Sequence, residues 1–197
     1  MRLIPLTSRF EAEYSGSADS LGRITFRHTP FKHSIARVQS RTMPEFSMRS
    51  VGTVRSPFTE TSQIPKGPGA EHGAEGVLEL LPELEPGLLD IEGFSHLYVI
   101  WVFHESKGYE LSGKPPTDDR PHGVFATRSP RRPNPIGLTV VELLRRDGAN
   151  LYVRGVDMLD GTPILDIKPY LSSVPRETLR RGWLAEAEAR RVAETHH

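Results

Sequence analysis

Between Arg120 and Gly137 the chain reads RPHGVFATRSPRRPNPIG, and its four prolines, Pro121, Pro130, Pro133 and Pro135, exclude a helix. Each proline fixes φ and removes a backbone donor, so the segment must run as a stiff loop. Arg128, Arg131 and Arg132 crowd positive charge onto that loop. Guanidinium groups held stiffly beside polar backbone suit an anionic or carbonyl-rich ligand, and loops on a rigid scaffold are where binding groups concentrate. On composition alone, a solvated proline-rich turn fits the same residues equally well.

The remaining residues have to supply the scaffold. A chain of 197 residues suits one ordinary domain, or a domain of about 130 to 150 residues with appendages. Hydrophobic residues make up 37%, enough for a modest core. Basic and acidic residues balance at 25 each, so affinity for nucleic acid must come from local clustering and not from the overall field. The absence of cysteine removes disulfides, thiolate nucleophiles and Cys-ligated metal sites together, and is compatible with a reducing cytoplasm. No apolar run approaches the roughly 20 residues that cross a bilayer, and the N-terminus lacks the apolar stretch of a secretory signal. A soluble protein with no membrane contact is expected.

Residues 1–49 differ in texture from the rest. From Arg23 to Arg49, the basic residues Arg23, Arg27, Lys32, Arg37, Arg41 and Arg49 stand against only Glu45, with little regular apolar spacing, which predicts a basic, mostly disordered extension. A basic arm on RNA, a tail without a role and, less well matched because of Glu11, Glu13 and Asp19, a transit peptide all fit it; Met43 or Met48 can equally start the protein. From Ser50 the pattern is that of a β-rich domain, 50–171. Strands are predicted at Val51–Arg55, Gly76–Leu81, His96–Phe103, Gly123–Thr127, Leu138–Leu144, Leu151–Val156 and Ile164–Lys168, with Asp147-Gly148 as a turn. The nearly unbroken apolar run His96–Phe103 is expected to be buried on both faces. About seven short strands with Gly- and Pro-rich turns favour a small closed or nearly closed β-barrel over a βαβ sheet, and no GxGxxG fingerprint is present. Within 172–197 one helix is predicted at Glu177–Glu194, with Leu179, Trp183 and Leu184 on one face and Pro175 at its first turn.

Three polar clusters fall at strand ends. His104-Glu105 follows the apolar strand; both residues can bind a ligand or act as acid and base, or can simply be solvated. Asp160-Gly161-Thr162-Pro163 reads first as a turn, yet Asp157, Asp166 and Lys168 bracket it with more charge than a turn requires. The third cluster is the arginine loop with Asn134. No His-x-x-x-His or Glu-x-x-His spacing is present, so no metal site is expected.

The run Gly123 to Leu138 (GVFATRSPRRPNPIGL), followed by Asp160 to Tyr170 (DGTPILDIKPY), closely resembles the TsaA/TrmO family of S-adenosylmethionine-dependent tRNA methyltransferases. Gly52 to Phe58 (GTVRSPF) and Gly93 to Leu97 (GFSHL) match further signatures of that family in the same order, and the similarity spans about Ser50 to Trp183. The resemblance implies a β-barrel methyltransferase outside the doubly wound class. It also implies a homodimer, cytoplasmic, with S-adenosylmethionine near the subunit interface. The implied substrate is N6 of the threonylcarbamoylated adenosine at position 37, in the tRNA anticodon loop. Carried over residue by residue, the cofactor contacts are Pro68, Gly69, Ala70, His104, Glu105, Arg128, Leu138, Asp160, Gly161, Thr162 and Pro163. Many bacterial members carry a second small domain after the segment matching Asp166 to Tyr170; here one predicted helix follows.

The chemistry of such a ligand suits these residue types. Asp160 can accept from an ammonium or ribose hydroxyls, Arg128 can donate a planar fork to a carboxylate or phosphate, and Gly69 and Gly161 let backbone approach closely. Loss of a proton from N6 calls for a base, with Asp160 and His104 both open as candidates. Arg131 and Arg132, with Asn134, are expected to contact RNA. A barrel that binds the cofactor without catalysis, and a hydrolase on the same barrel, are the competing classes, because fold alone does not determine function.

Overall fold

A computed structural model describes residues 17–18, 23–25, 44–65, 73–171 and 181–195. Near the N-terminus, β1 (Ser17–Ala18), β2 (Arg23–Thr25) and β3 (Met48–Arg49) pair in that order as a small antiparallel sheet. The segment predicted to be mostly disordered therefore contributes these three short strands, joined by two ladders. The rest of residues 1–43 lies outside the described residues.

The chain then forms β4 (Gly52–Arg55), β5 (Glu75–Leu80), β6 (His96–Val102), β7 (Ser112–Gly113), β8 (His122–Gly123), β9 (Ile136–Asp147), β10 (Asn150–Arg154) and β11 (Pro163–Pro169). Six of these close into a barrel in the order β10-β5-β4-β11-β6-β9, each neighbouring pair antiparallel. Closure leaves no open edge, the usual hazard of an all-β domain. The turn predicted at Asp147-Gly148 joins β9 to β10, with Gly148 at φ 58°, where an L side chain would be strained.

Alternation drives the core. On β9, Gly137, Thr139 and Val141 point inward while Leu138 and Val140 are exposed, and Val54, Leu78, Leu97, Val99, Leu151 and Val153 fill the interior from the other strands. The apolar run of β6 follows the same rule and is not buried on both faces. Leu97, Val99 and Trp101 are inside, whereas Tyr98 and Ile100 are only half-buried; at the end of the strand Val102 departs from the alternation and is buried as well. The strand predicted at Gly123–Thr127 is also absent. After the two-residue ladder of β7 with β8, residues Val124–Ala126 form a 3-10 turn, closed by the N–H and hydroxyl of Thr127 on the Val124 carbonyl at 3.2 and 3.0 Å. That local closure satisfies groups that a ladder would otherwise take. The C-terminal helix α1 spans Trp183–Thr195; residues 172–180, with Pro175 and Leu179, lie outside the described residues.

The registers place the C-terminal ends of β4, β6 and β10 and the N-terminal ends of β5, β9 and β11 on one rim. At this rim a Cβ added to Gly137 would sit 2.2 Å from the Trp101 ring. The ring cannot slide away. Its Nε1–H donates to the Thr139 hydroxyl at 3.0 Å, that hydroxyl donates to Asp157 at 2.5 Å, and Phe103 packs against it at 4.3 Å between centroids. Gly137→Ala is therefore expected to lower stability by about 1 to 3 kcal/mol through overpacking. Gly93→Ala, where an added Cβ meets nothing within 4 Å, should stay within about 0.5 kcal/mol of the wild type. Urea unfolding of the two variants checks the contrast.

Candidate functional site

The rim collects the three polar clusters read from the sequence. His104 and Glu105 leave the end of β6, both exposed. The turn before β11 is tied to β4: the Gly161 N–H donates to the Val54 carbonyl at 2.9 Å, the Val54 N–H donates to Thr162 at 2.9 Å, and the Asp160 N–H donates to Phe58 at 2.7 Å. Gly161 adopts φ 78°, and a Cβ added there would meet nothing within 4 Å among the described residues, so the peptide edge of the turn is open to them. The fully buried Thr162 brings its hydroxyl within 3.5 Å of His104 Nδ1, which joins the turn to the β6 exit.

The carboxylates near this turn have separate duties. Asp160 faces the rim; its Oδ1 accepts from the Ser56 N–H at 3.1 Å and its Oδ2 lies 3.8 Å from the Arg55 guanidinium. Glu79, hydrogen-bonded to Arg55 at 2.7 Å, and Asp160 more weakly, hold that arginine even more firmly protonated than usual. Asp157 belongs to the interior relay with Thr139 and Trp101, and Asp166 pairs with Lys168 at 2.6 Å. The acidic excess noted in the sequence thus divides among rim, interior and strand surface.

The arginine loop closes the rim from the β9 side. Arg128 donates from its guanidinium to the Leu138 carbonyl, which brings together two residues predicted as cofactor contacts. Ser106, just past the β6 exit, donates to the Pro130 carbonyl at 3.0 Å, and the Phe103 N–H donates to Pro135 at 2.8 Å. Arg131 pairs with Glu110 at 3.0 Å on the surface. Arg132 is half-buried and donates to the carbonyls of Val124 and Thr127, both at 3.1 Å, so its guanidinium fastens the loop itself. Asn134 is exposed, with its carbonyl accepting from Ile136 at 2.7 Å. The predicted loop Pro68-Gly69-Ala70 lies outside the described residues; the chain re-enters at this rim through Ala74, immediately before β5.

One group escaped the sequence reading. The Asp118 side chain is fully buried and accepts from His122 Nε2 at 3.2 Å, from Arg120 at 3.3 Å and from Arg190 of α1 at 2.9 Å. Trp183, at the start of α1, stacks on His122 at 4.1 Å and donates its indole N–H to the Ala126 carbonyl at 2.9 Å. Helix α1 is thereby clamped to the arginine loop. Only the spacing of Asp118 and His122 was available in the sequence; Arg190 lies 72 positions away.

Residues 53–175 match the model of the tRNA-methyltransferase O N-terminal domain. Among similar proteins, a probable S-adenosyl-L-methionine-binding protein of Pyrococcus abyssi is 49% identical over 137 residues, covering 69% of this chain and 74% of that protein. The tRNA (adenine(37)-N6)-methyltransferase of Escherichia coli is 39% identical over 139 residues, covering 66% of this chain and 59% of that protein. A crystal structure of TrmO from Pseudomonas aeruginosa superposes with a TM-score of 0.57 at 37% identity, covering 70% of this chain and 62% of that one. The chain thus spans less than two thirds of the length of the latter two.

The Asp118 anchor has an acid limit. Burial alone pushes its carboxyl up, but the Arg120 N–H, then the His122 and Arg120 side chains, outweigh that and hold it well below the usual carboxylate range. A depressed folded-state value means that its stabilisation is full above the unfolded carboxylate range, about pH 4, and is lost as pH falls toward the folded value. Asp118→Asn removes the titrating charge at constant shape. The variant is expected to be less stable at neutral pH and to lose less further stability below about pH 4 than the wild type. Urea midpoints across that range measure it, and an identical acid limb in both proteins would show that the anchor carries no linked stability.

Proposed function

Because this chain belongs to the tRNA-methyltransferase O family, we propose that it transfers the methyl group of S-adenosylmethionine to N6 of adenosine 37 in tRNA. The observation that carries this reading is the convergence of the Asp160–Pro163 turn, His104 and the Arg128–Leu138 pair on one barrel rim, wholly inside the matched residues. Relatives named for binding the cofactor and for methylating tRNA support it.

The rim has the donor set such a cofactor needs. Asp160 offers a carboxylate for the ammonium, Arg128 has N–H groups beyond the one given to Leu138 for the carboxylate, and the open peptide edge at Gly161 admits close approach. Leu138, 47% exposed, offers apolar contact for an adenine ring. When bound, S-adenosylmethionine supplies an electrophilic methyl on a sulfonium, and displacement there depends on alignment, with no metal required. The chain orients and manages the proton. We assign the N6 proton to His104: its Nδ1 is turned to the Thr162 hydroxyl and, in the tautomer with hydrogen on Nδ1, Nε2 is the acceptor, whereas Asp160 is already engaged by Ser56 and Arg55.

The finer substrate we propose is the N6-threonylcarbamoyl form of that adenosine, presented in the single-stranded anticodon loop in the cytoplasm. Its carboxylate suits the arginines of the rim. The outer face of β6 and β9, with Tyr98, Ile100, Leu138 and Val140, is continuous with the site through Leu138, and a second copy of the chain is its proposed cover. A barrel that binds the cofactor without methylating RNA is the second reading, favoured by relatives named only for binding.

Mass spectrometry of tRNA nucleosides from cells with and without the gene distinguishes the two readings, since only a methyltransferase removes an N6-methylated species when lost. On the purified protein, Asp160→Ala is expected to weaken S-adenosylmethionine binding roughly ten- to a hundredfold. Arg131→Ala should leave that affinity unchanged and reduce the salt dependence of tRNA binding by about one phosphate contact. Calorimetry and tRNA titration across a salt series measure both. Equal loss of cofactor in the two variants would refute the division between turn and loop.

A further inference from the structure

Phe125 is 82% exposed in the middle of a turn that is otherwise tied down on every side. The Val124 N–H donates to Leu111 at 2.9 Å, Arg132 bridges the carbonyls of Val124 and Thr127, and Trp183 holds the Ala126 carbonyl. Val124, one residue before, is buried. A phenyl ring left in water forgoes the stabilisation that burial would give it, here on a loop whose neighbouring carbonyls are each held by a hydrogen bond. Leu111, whose carbonyl closes this turn, is itself 52% exposed. The surrounding segment from Arg120 to Gly137 carries four arginines and no carboxylate. Arg128, three positions on, reaches the Leu138 carbonyl inside the site described above.

A rigid aromatic face beside guanidinium groups is what a splayed base requires: the ring stacks at little entropic cost while the cations meet the flanking phosphates. We propose that Phe125 is a stacking platform for an unpaired RNA base adjacent to the methylated adenosine. This inference rests on the tRNA-methyltransferase reading and deepens it, by naming the residue that holds the loop open. It does not require a base-specific hydrogen bond, so it positions the substrate without reading its sequence.

The test uses the full-length protein and a short synthetic anticodon stem-loop RNA, alongside the same RNA carrying an abasic residue on either side of the target. Phe125→Ala is expected to weaken binding of the intact RNA roughly five- to a hundredfold, Phe125→Trp to restore it, and Phe125→Leu to remain weak. The loss should vanish on one of the abasic RNAs. Affinity for S-adenosylmethionine, mass in solution and the slope of RNA affinity against salt should all stay at wild-type values, because neither the cofactor turn nor a phosphate contact is touched. Wild-type affinity for RNA in Phe125→Ala, full rescue by leucine, or a change of mass that marks the ring as a protein interface would each overturn the platform. Methyl transfer by the wild type to tRNA is measured in parallel. If it proceeds while Phe125→Ala binds normally, the platform fails and the function stands; if the wild type neither binds nor methylates RNA, both fall.

Discussion

The rim depends on one close approach, the bare backbone of Gly137 against the face of Trp101. Any side chain at 137 would enter the indole ring, and the ring is pinned by Thr139, Asp157 and Phe103. This contact sets how near the first residues of β9 lie to the last residues of β6. The arginine loop ends at Gly137 and the His104 segment begins just past Val102, so the same contact determines the gap between two of the three clusters. The third, at Asp160, is tied in from β4 through backbone bonds to Val54 and Phe58. The strands that carry the site are therefore held by packing and ladder hydrogen bonds, while charged side chains fasten the loop between them.

The charges themselves are divided. In the arginine loop, one guanidinium is spent on the loop's own carbonyls, one on a surface glutamate and one on the β9 backbone beside the site. A chain with balanced total charge has no general field to steer an RNA, so any affinity must come from such local placement. Helix α1 adds to this economy from outside the barrel. Through Asp118, His122 and Trp183 it braces the loop, so residues far along the chain bear on a loop they do not belong to.

Much of the barrel was legible in the sequence because strand side chains alternate with period two and turns need particular residues. The ladders of β4, β5, β9, β10 and β11 fall where the apolar alternation placed them, and Asp147-Gly148 turns where it should. The apolar run of β6 misled because a continuous hydrophobic stretch is the same in sequence whether one face or two are covered. Gly123–Thr127 misled for a different reason: β-branched and aromatic residues favour a ladder, but the Thr127 side chain and N–H close a local turn first.

Residue chemistry is a local property, and so the sequence by itself determined which groups were worth watching: a stiff arginine loop, a His-Glu strand exit and an Asp-Gly turn, together with motifs long enough to carry a family resemblance. What it left open was which of these meet and which charges remain available. Proline and glycine act on their own dihedrals, whereas the partner of Arg132, the three roles of Asp157, Asp160 and Asp166, and the Asp118 anchor reached from Arg190 each depend on residues brought together across the barrel. Only tertiary structure decides those, because a hydrogen bond or ion pair between distant positions exists only once strand closure has placed its two ends within about 3 Å of one another.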